Sequence, residues 1–249
     1  MRTIAFFEMG INLGTDSLKR VLFLQNSGSE RSASGVDRLF ERQGLAVDYR
    51  WAPNGQLPDD VRAYDGIFIS GGPNSAYDET AFIRAERELV RQAQEDGVPT
   101  LGVCLGCQLI AAALCGQNQV YRRDRCEVGY VSLRLEAAAS SDPLLKELAT
   151  DLRMFVWHND DILPDHPNMQ VLAGSADSAV HIWRFRDSAI WGIQGHPEVP
   201  WPEPGRWFEE HRPGLTTDGV DVTSLIAEAE DTSAARSLIE CFARLCANQ

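Results

Sequence analysis

Apolar positions along the chain change period in step with its glycines. Val21 to Gln25 is a short run of the kind that sits buried in a sheet, and Val36, Leu39 and Phe40 then recur at helical spacing before Gly44. Val47 to Trp51 and Gly66 to Ser70 read as further strands, the second running into Gly71 and Gly72. Phe82, Ala85, Leu89 and Ala93 give the next segment an amphipathic helical face as far as Gly97, after which Pro99 to Val103 returns as a strand. Strands alternating with helical segments are how a parallel sheet with helical crossovers is written, so this half predicts an α/β fold.

Past residue 115 the pattern is different. Val128 to Leu135 alternates with period two, and Val180 to Gly195 reads as two strands joined near Arg186, Asp187 and Ser188, so this half is expected to be partly antiparallel. Residues 200–219, with Pro200, Pro202, Pro204 and Pro213 among Trp201, Trp207 and Phe208, read as a long surface loop. The stretch 220–249 holds two helical segments, the last with Leu238, Ile239, Phe242 and Leu245 on one face. No repeat or linker divides the chain, so residues 19–249 are read as one domain and residues 1–18 as an N-terminal extension with no assigned role.

Charge narrows the list of partners. With 23 basic and 36 acidic side chains the net charge is -13, which repels phosphate backbones and anionic lipid and disfavours nucleic acid and membrane surfaces. The apolar start Ile4 to Phe7 is interrupted by Glu8, too early for a signal peptide, and no stretch approaches the ~20 apolar residues of a membrane span. Six irregularly spaced cysteines do not make a disulfide framework, so a reduced cytoplasm is the expected setting.

The chemistry is concentrated in PTLGVCLGCQLIAAALCG, residues 99–116, where a strand runs into Cys104 and a helix runs out of it. Gly102, Cys104 and Gly106 form the cysteine version of the GxSxG elbow, a sharp turn that exposes the nucleophile at its tip. A cysteine there sits at the positive end of a helix dipole, which favours thiolate over thiol, and the N–H of Leu105 can receive an oxyanion. Three other readings compete: a buried core cysteine, a redox pair with Cys107, and a zinc site. The redox reading leaves Gly102 and Gly106 without a purpose. Cys104, Cys107, Cys115 and Cys126 match no spacing of a structural zinc site.

A thiolate needs a proton carrier. His196 follows the apolar run AIWGIQG and so falls at a strand end, and Glu198, two residues on across Pro197, can face the same way and hold the imidazole. His158 in VWHND, with Asp160 at the same spacing, competes for the role. The Gly-Gly pair in SGGPNS, residues 70–75, can add backbone donors for an oxyanion; each of these features alone is equally an ordinary turn.

As a set, SGGPNSAYD, GVCLGCQ and WGIQGHPE resemble the class I glutamine amidotransferases, over roughly residues 19–200, and most of all the glutaminase domain of GMP synthase and its stand-alone relatives. The resemblance implies a flavodoxin-like single domain with a mostly parallel seven-stranded sheet and helices on both faces. It implies a triad of Cys104, His196 and Glu198, an oxyanion hole from Gly72 and Leu105, and substrate contacts from Gly71, Gln108, His158 and Asp160. The reaction it implies is hydrolysis of a glutamine side-chain amide with no metal or organic cofactor, the ammonia passing to an amide acceptor. Residues 201–249 are too few for a synthetase and no GxxxxGK loop is present, so the acceptor is expected on a partner chain. Gly195, where many relatives carry an aromatic residue, is expected to widen the pocket towards other γ-glutamyl substrates. A γ-glutamyl peptidase and a non-catalytic interaction protein are the alternatives.

Overall fold

The computed structural model describes residues 18–28, 35–148 and 152–249. The extension read in residues 1–18 therefore lies, apart from Leu18, outside the described residues.

Among the described residues ten strands and seven α-helices follow in chain order: β1 (Arg20–Gln25), α1 (Asp37–Glu41), β2 (Ala46–Trp51), β3 (Gly66–Ile69), α2 (Ala81–Glu95), β4 (Thr100–Val103), α3 (Leu105–Leu114), β5 (Val120–Ser132), β6 (Arg134–Leu135), β7 (Arg153–Ile162), β8 (Met169–Gly174), β9 (Ile182–Phe185), β10 (Ile190–Ile193), α4 (Glu203–Glu210), α5 (Arg212–Thr217), α6 (Val222–Ala227) and α7 (Ser237–Ala247). Eight strands form the main sheet in the order β2-β1-β3-β4-β10-β9-β8-β6, while β5 and β7 pair as a separate ribbon. From β2 through β10 the pairing is parallel, and β9, β8 and β6 continue it antiparallel.

The α/β architecture is the one the hydrophobic pattern predicts. It exceeds the expected seven strands because the alternating run Val128–Leu135 divides. Its first part stays in the ribbon, whereas Arg134 and Leu135 pair with Gly174 and Ala173 at the edge of the main sheet.

Alternation along the strands builds a core on each side of the sheet. Val21, Phe23 and Phe68 pack with α1 and α7 through Leu39, Phe40, Leu238 and Phe242. Leu22, Leu24, Ile67 and Ile69 pack against α2 and α3 through Ile83, Leu89, Leu109 and Ile110. A third cluster joins Phe155 of the ribbon to Phe208, Leu215 and Val222.

That third cluster accounts for a correction. Residues 200–219, expected as a loop, contain α4 and α5, each with a proline in its first turn. Proline there loses a backbone N–H that has no intrahelical acceptor anyway, so it starts a helix as readily as it breaks one. The expected C-terminal helices are α6 and α7.

The buried face of α2 carries Glu86, whose carboxyl is pushed up to about 8 by burial, with Asn26 pulling weakly the other way. The folded protein therefore keeps this proton to about pH 8, whereas the unfolded chain releases it near ~4.3. The unfolded state binds fewer protons in between, so this group's contribution to stability falls as pH rises from about 4.3 to about 8 and is level above. Glu86→Gln is expected to flatten that slope by an amount on the order of a few kcal/mol. Urea unfolding of both proteins at several pH values measures it, and parallel curves would show that Glu86 is ionised in the fold.

Candidate active site

Chain crossovers bring the C-terminal ends of β1, β3, β4 and β10 together, the edge at which open α/β sheets bind ligands. Gly71 and Gly72 follow β3, Cys104 follows β4, and His196 lies three residues beyond β10. All four line one cleft of about 690 Å³.

Cys104 has φ 51° and ψ -107°, a left-handed backbone that a side chain adopts only under constraint. The constraint is visible on both flanks. A Cβ on Gly102 would lie 2.3 Å from the carbonyl oxygen of Gly106, and a Cβ on Gly106 would lie 2.3 Å from that of Ile69. Any other residue at either place would push strand and helix apart and open the turn. The Cys104 N–H is held by the Ile193 carbonyl at 2.8 Å, tying the elbow to β10.

His196 is fixed from two sides. Its backbone N–H donates to Phe155 in the ribbon at 2.8 Å, and its Nδ1 lies 2.8 Å from Glu198 Oε1. Burial pushes the imidazole pKa down, but the charges of Glu198 and Cys104 outweigh it and hold the ring well above its ordinary value. Nε2 faces the Cys104 side: the Trp157 carbonyl is 3.4 Å from Nε2 and 3.9 Å from the Cys104 Sγ. Gly71 lies between the two groups, where an added Cβ would stand 3.2 Å from His196 Cε1 and 3.8 Å from the sulfur.

Leu105 is the first residue of α3, so its N–H is among those with no intrahelical acceptor. Gly72 packs against both neighbours of this corner, since a Cβ there would meet the Asn26 carbonyl at 2.7 Å and Leu105 at 3.0 Å.

Gln108, His158 and Asp160 are placed differently. They are buried behind the elbow and do not line the cleft. Gln108 donates to the Asp160 carbonyl at 3.1 Å and to Gln194 at 3.2 Å, while the Asp160 carboxylate accepts from Ser75 and Tyr77. These contacts support the wall of the site from outside it.

Gly195 does not widen the cleft either. The place its Cβ would take is filled by Met154, with Sδ 2.4 Å and Cγ 2.7 Å away. What enlarges the cleft is α4, whose Glu203, Arg206, Trp207 and Glu210 form a wall together with Trp157 and His211. The spacing of Glu203, Trp207 and Glu210 is helical, and recognising the prolines as a helix start would have put them on one face.

Cys107 is fully buried, accepts the Trp183 indole N–H at 3.2 Å, and has its thiol pushed strongly up by burial. It is a poor partner for thiol exchange. Cys107→Ser, which keeps an acceptor for Trp183, is expected to leave kcat within about threefold of wild type while costing roughly 1 kcal/mol of stability. Loss of turnover in a folded variant would return the cysteine pair to consideration.

A parallel α/β sheet that presents a strained cysteine and a carboxylate-bound histidine at its strand ends places the chain in the class of α/β folds with a nucleophile elbow. A model of the glutamine amidotransferase class-I family matches residues 33–206, and the chain belongs to that family. Among curated proteins it is 31% identical over 163 residues to a glutamine-hydrolyzing GMP synthase subunit of Pyrococcus abyssi, covering 65% of this chain and 81% of that one. It is 28% identical over 191 residues to gamma-glutamyl peptidase 4 of Arabidopsis thaliana, covering 72% and 75%. A crystal structure of a glutamine amidotransferase from Thermotoga maritima shares the fold with TM-score 0.76 at 23% identity, over 92% of this chain and 98% of that one. Among the described residues no helix is long and apolar enough to cross a membrane.

Proposed function

We propose that the chain hydrolyses the side-chain amide of glutamine through a thioester on Cys104, with His196 as proton carrier and Glu198 as its orienting carboxylate. The observation that carries this reading is the meeting of an elbow cysteine and a carboxylate-held imidazole at one cleft. The Cys104 sulfur attacks the amide carbon, and charge developing on the oxygen is received by the N–H groups of Gly72 and Leu105. Collapse of that intermediate breaks the C–N bond, the imidazolium gives its proton to the departing nitrogen, and ammonia leaves. A water deprotonated by His196 then adds to the thioester, releasing glutamate and the thiolate. The raised pKa of His196 supports an imidazolium ready to protonate the leaving group. No metal or organic cofactor takes part in these steps.

On this reading the ammonia passes to an amide acceptor on a separate synthetase chain, in keeping with relatives that are each named as one subunit of a glutamine-hydrolyzing GMP synthase. A second reading has support of its own. The cleft of about 690 Å³ is in the range that buries ligands well beyond the size of a single amino acid, and α4 gives it charged and aromatic groups outside the amide's reach. Both features suit a γ-glutamyl peptide. Release of glutamate from glutamine and from γ-glutamyl dipeptides by the purified chain separates the two. Preference for glutamine supports the amidotransferase, preference for dipeptides the peptidase, and turnover of neither by the chain with or without a cognate synthetase would defeat both.

A further inference from the structure

Behind the elbow, three side chains from distant parts of the sequence converge in the interior: Glu127 of β5, His158 of β7, and His181 just ahead of β9. One ligand atom from each lies within 4.8 Å of the others, and both imidazoles are completely buried. His158 Nδ1 is 2.8 Å from the Asp160 carbonyl oxygen. A carbonyl only accepts, so Nδ1 carries the hydrogen, and in a neutral ring Nε2 is left with its lone pair. Yet Nε2 faces Glu127 Oε2 at 2.8 Å, lone pair against carboxylate. Such a contact needs either a hydrogen or a positive centre between the two atoms.

His181 makes the same demand from the other side. Among the described residues neither of its ring nitrogens makes a hydrogen bond, and Nε2 points at Glu127 Oε1 from 3.5 Å. Burying an imidazole with both nitrogens unpartnered is costly. Arg123 does not meet these demands: its guanidinium stands 3.8 Å from Glu127 Oε2 but is matched by Asp161 at 2.5 Å. Ser175 donates to Glu127 Oε1 at 3.1 Å and supplies no charge.

From this we propose that Glu127, His158 and His181 form a structural site for a divalent transition metal, with zinc as the best match to two imidazoles and one carboxylate. Ligands about 2.1 Å from one ion stand about 3.4 Å apart in a tetrahedron, so the cluster needs only small side-chain adjustments to close around it. The Asp160 carbonyl plays the part of an outer partner that fixes the tautomer of a ligating histidine. The ion ties the β5–β7 ribbon to the main sheet at β9. It also fixes the residue next to Trp157, whose carbonyl faces Cys104 and His196. The site draws on no cysteine, which is why cysteine spacing gives no sign of it, and it is independent of the reaction proposed for the cleft.

The test is titration of the chelator-stripped full chain with Zn²⁺ alone, in wild type and in a Cys104→Ser background that removes the cleft thiol. One equivalent is expected to bind in both and to raise the thermal midpoint by roughly 5–10 °C at a hundredfold excess over Kd. His181→Gln is expected to weaken binding at least about a hundredfold while unfolding at the midpoint of stripped wild type. Zinc-edge X-ray absorption of the wild type, which needs no variant to fold, should show two imidazoles and no sulfur. No zinc-dependent shift in wild type, sulfur in the coordination shell, or undiminished binding by folded His181→Gln would overturn the proposal.

Discussion

Cys104→Ala is expected to reduce glutamate release from glutamine by at least roughly 10⁴-fold, with the unfolding midpoint within a few degrees of wild type. Only the sulfur is removed. The variant's Cβ occupies the same strained position, and the glycines that impose that strain, Gly102 and Gly106, are untouched. The thiol's hydrogen-bond contact with the Trp157 carbonyl is long, at 3.9 Å, so its loss costs the fold little. Steady-state turnover and thermal unfolding of the same preparation decide the matter. Retained turnover would rule out a thioester on Cys104. If the wild type is inactive towards both glutamine and γ-glutamyl peptides and the variant is indistinguishable from it in every assay, the fold serves binding alone.

Much of this site could be read from the sequence because its parts are local. An elbow is a strand, a turn and a helix within a dozen residues, and its glycines mark it where they stand. Gly102 and Gly106 are there because backbone passes within 2.3 Å of the place where a side chain would begin, and such positions tolerate no substitute. His196 and Glu198 are likewise two residues apart and directly bonded. Local periodicity also located the parallel strands β1 to β4, of which β3 begins at Gly66 and β4 follows Pro99.

The remainder depends on contacts between segments far apart. Gly195 suggested open space, but whether a missing side chain leaves a hole depends on its neighbour, and Met154 fills it from another strand. Gln108, His158 and Asp160 look like ligand-binding groups in any list of polar residues near a motif. Their partners, Gln194, Glu127 and Ser75, come from β-strands and loops that only the fold assembles, and they draw all three away from the cleft. The α4 wall went unread for a different reason: four prolines in twenty residues outweighed a helical spacing that would otherwise have been recognised.

Glu198→Gln carries the second large effect, a fall in kcat of roughly 10²–10⁴-fold with little change in glutamine affinity. Glu198 Oε1 accepts from His196 Nδ1 at 2.8 Å, so it selects the tautomer that leaves Nε2 towards the cysteine. A glutamine amide that turns its NH₂ to the ring selects the other tautomer, and one that turns its oxygen keeps the tautomer but withdraws the charge. The charge has a readable consequence in pH. Burial opposes the imidazolium, and Glu198 is the foremost of the groups that hold its pKa well above the ordinary value in spite of that. Without the carboxylate, burial prevails and the ring loses its proton at lower pH, so the alkaline limb of kcat/KM should move to lower pH in the variant. Stability should follow the same sign. A histidine raised in the folded state stabilises fully below its unfolded value near ~6.5, and that contribution disappears as pH rises through the folded value. In Glu198→Gln this window should close. A merely structural carboxylate would alter the midpoint without moving the pH profile, and an unchanged rate would assign the orienting role to a different group.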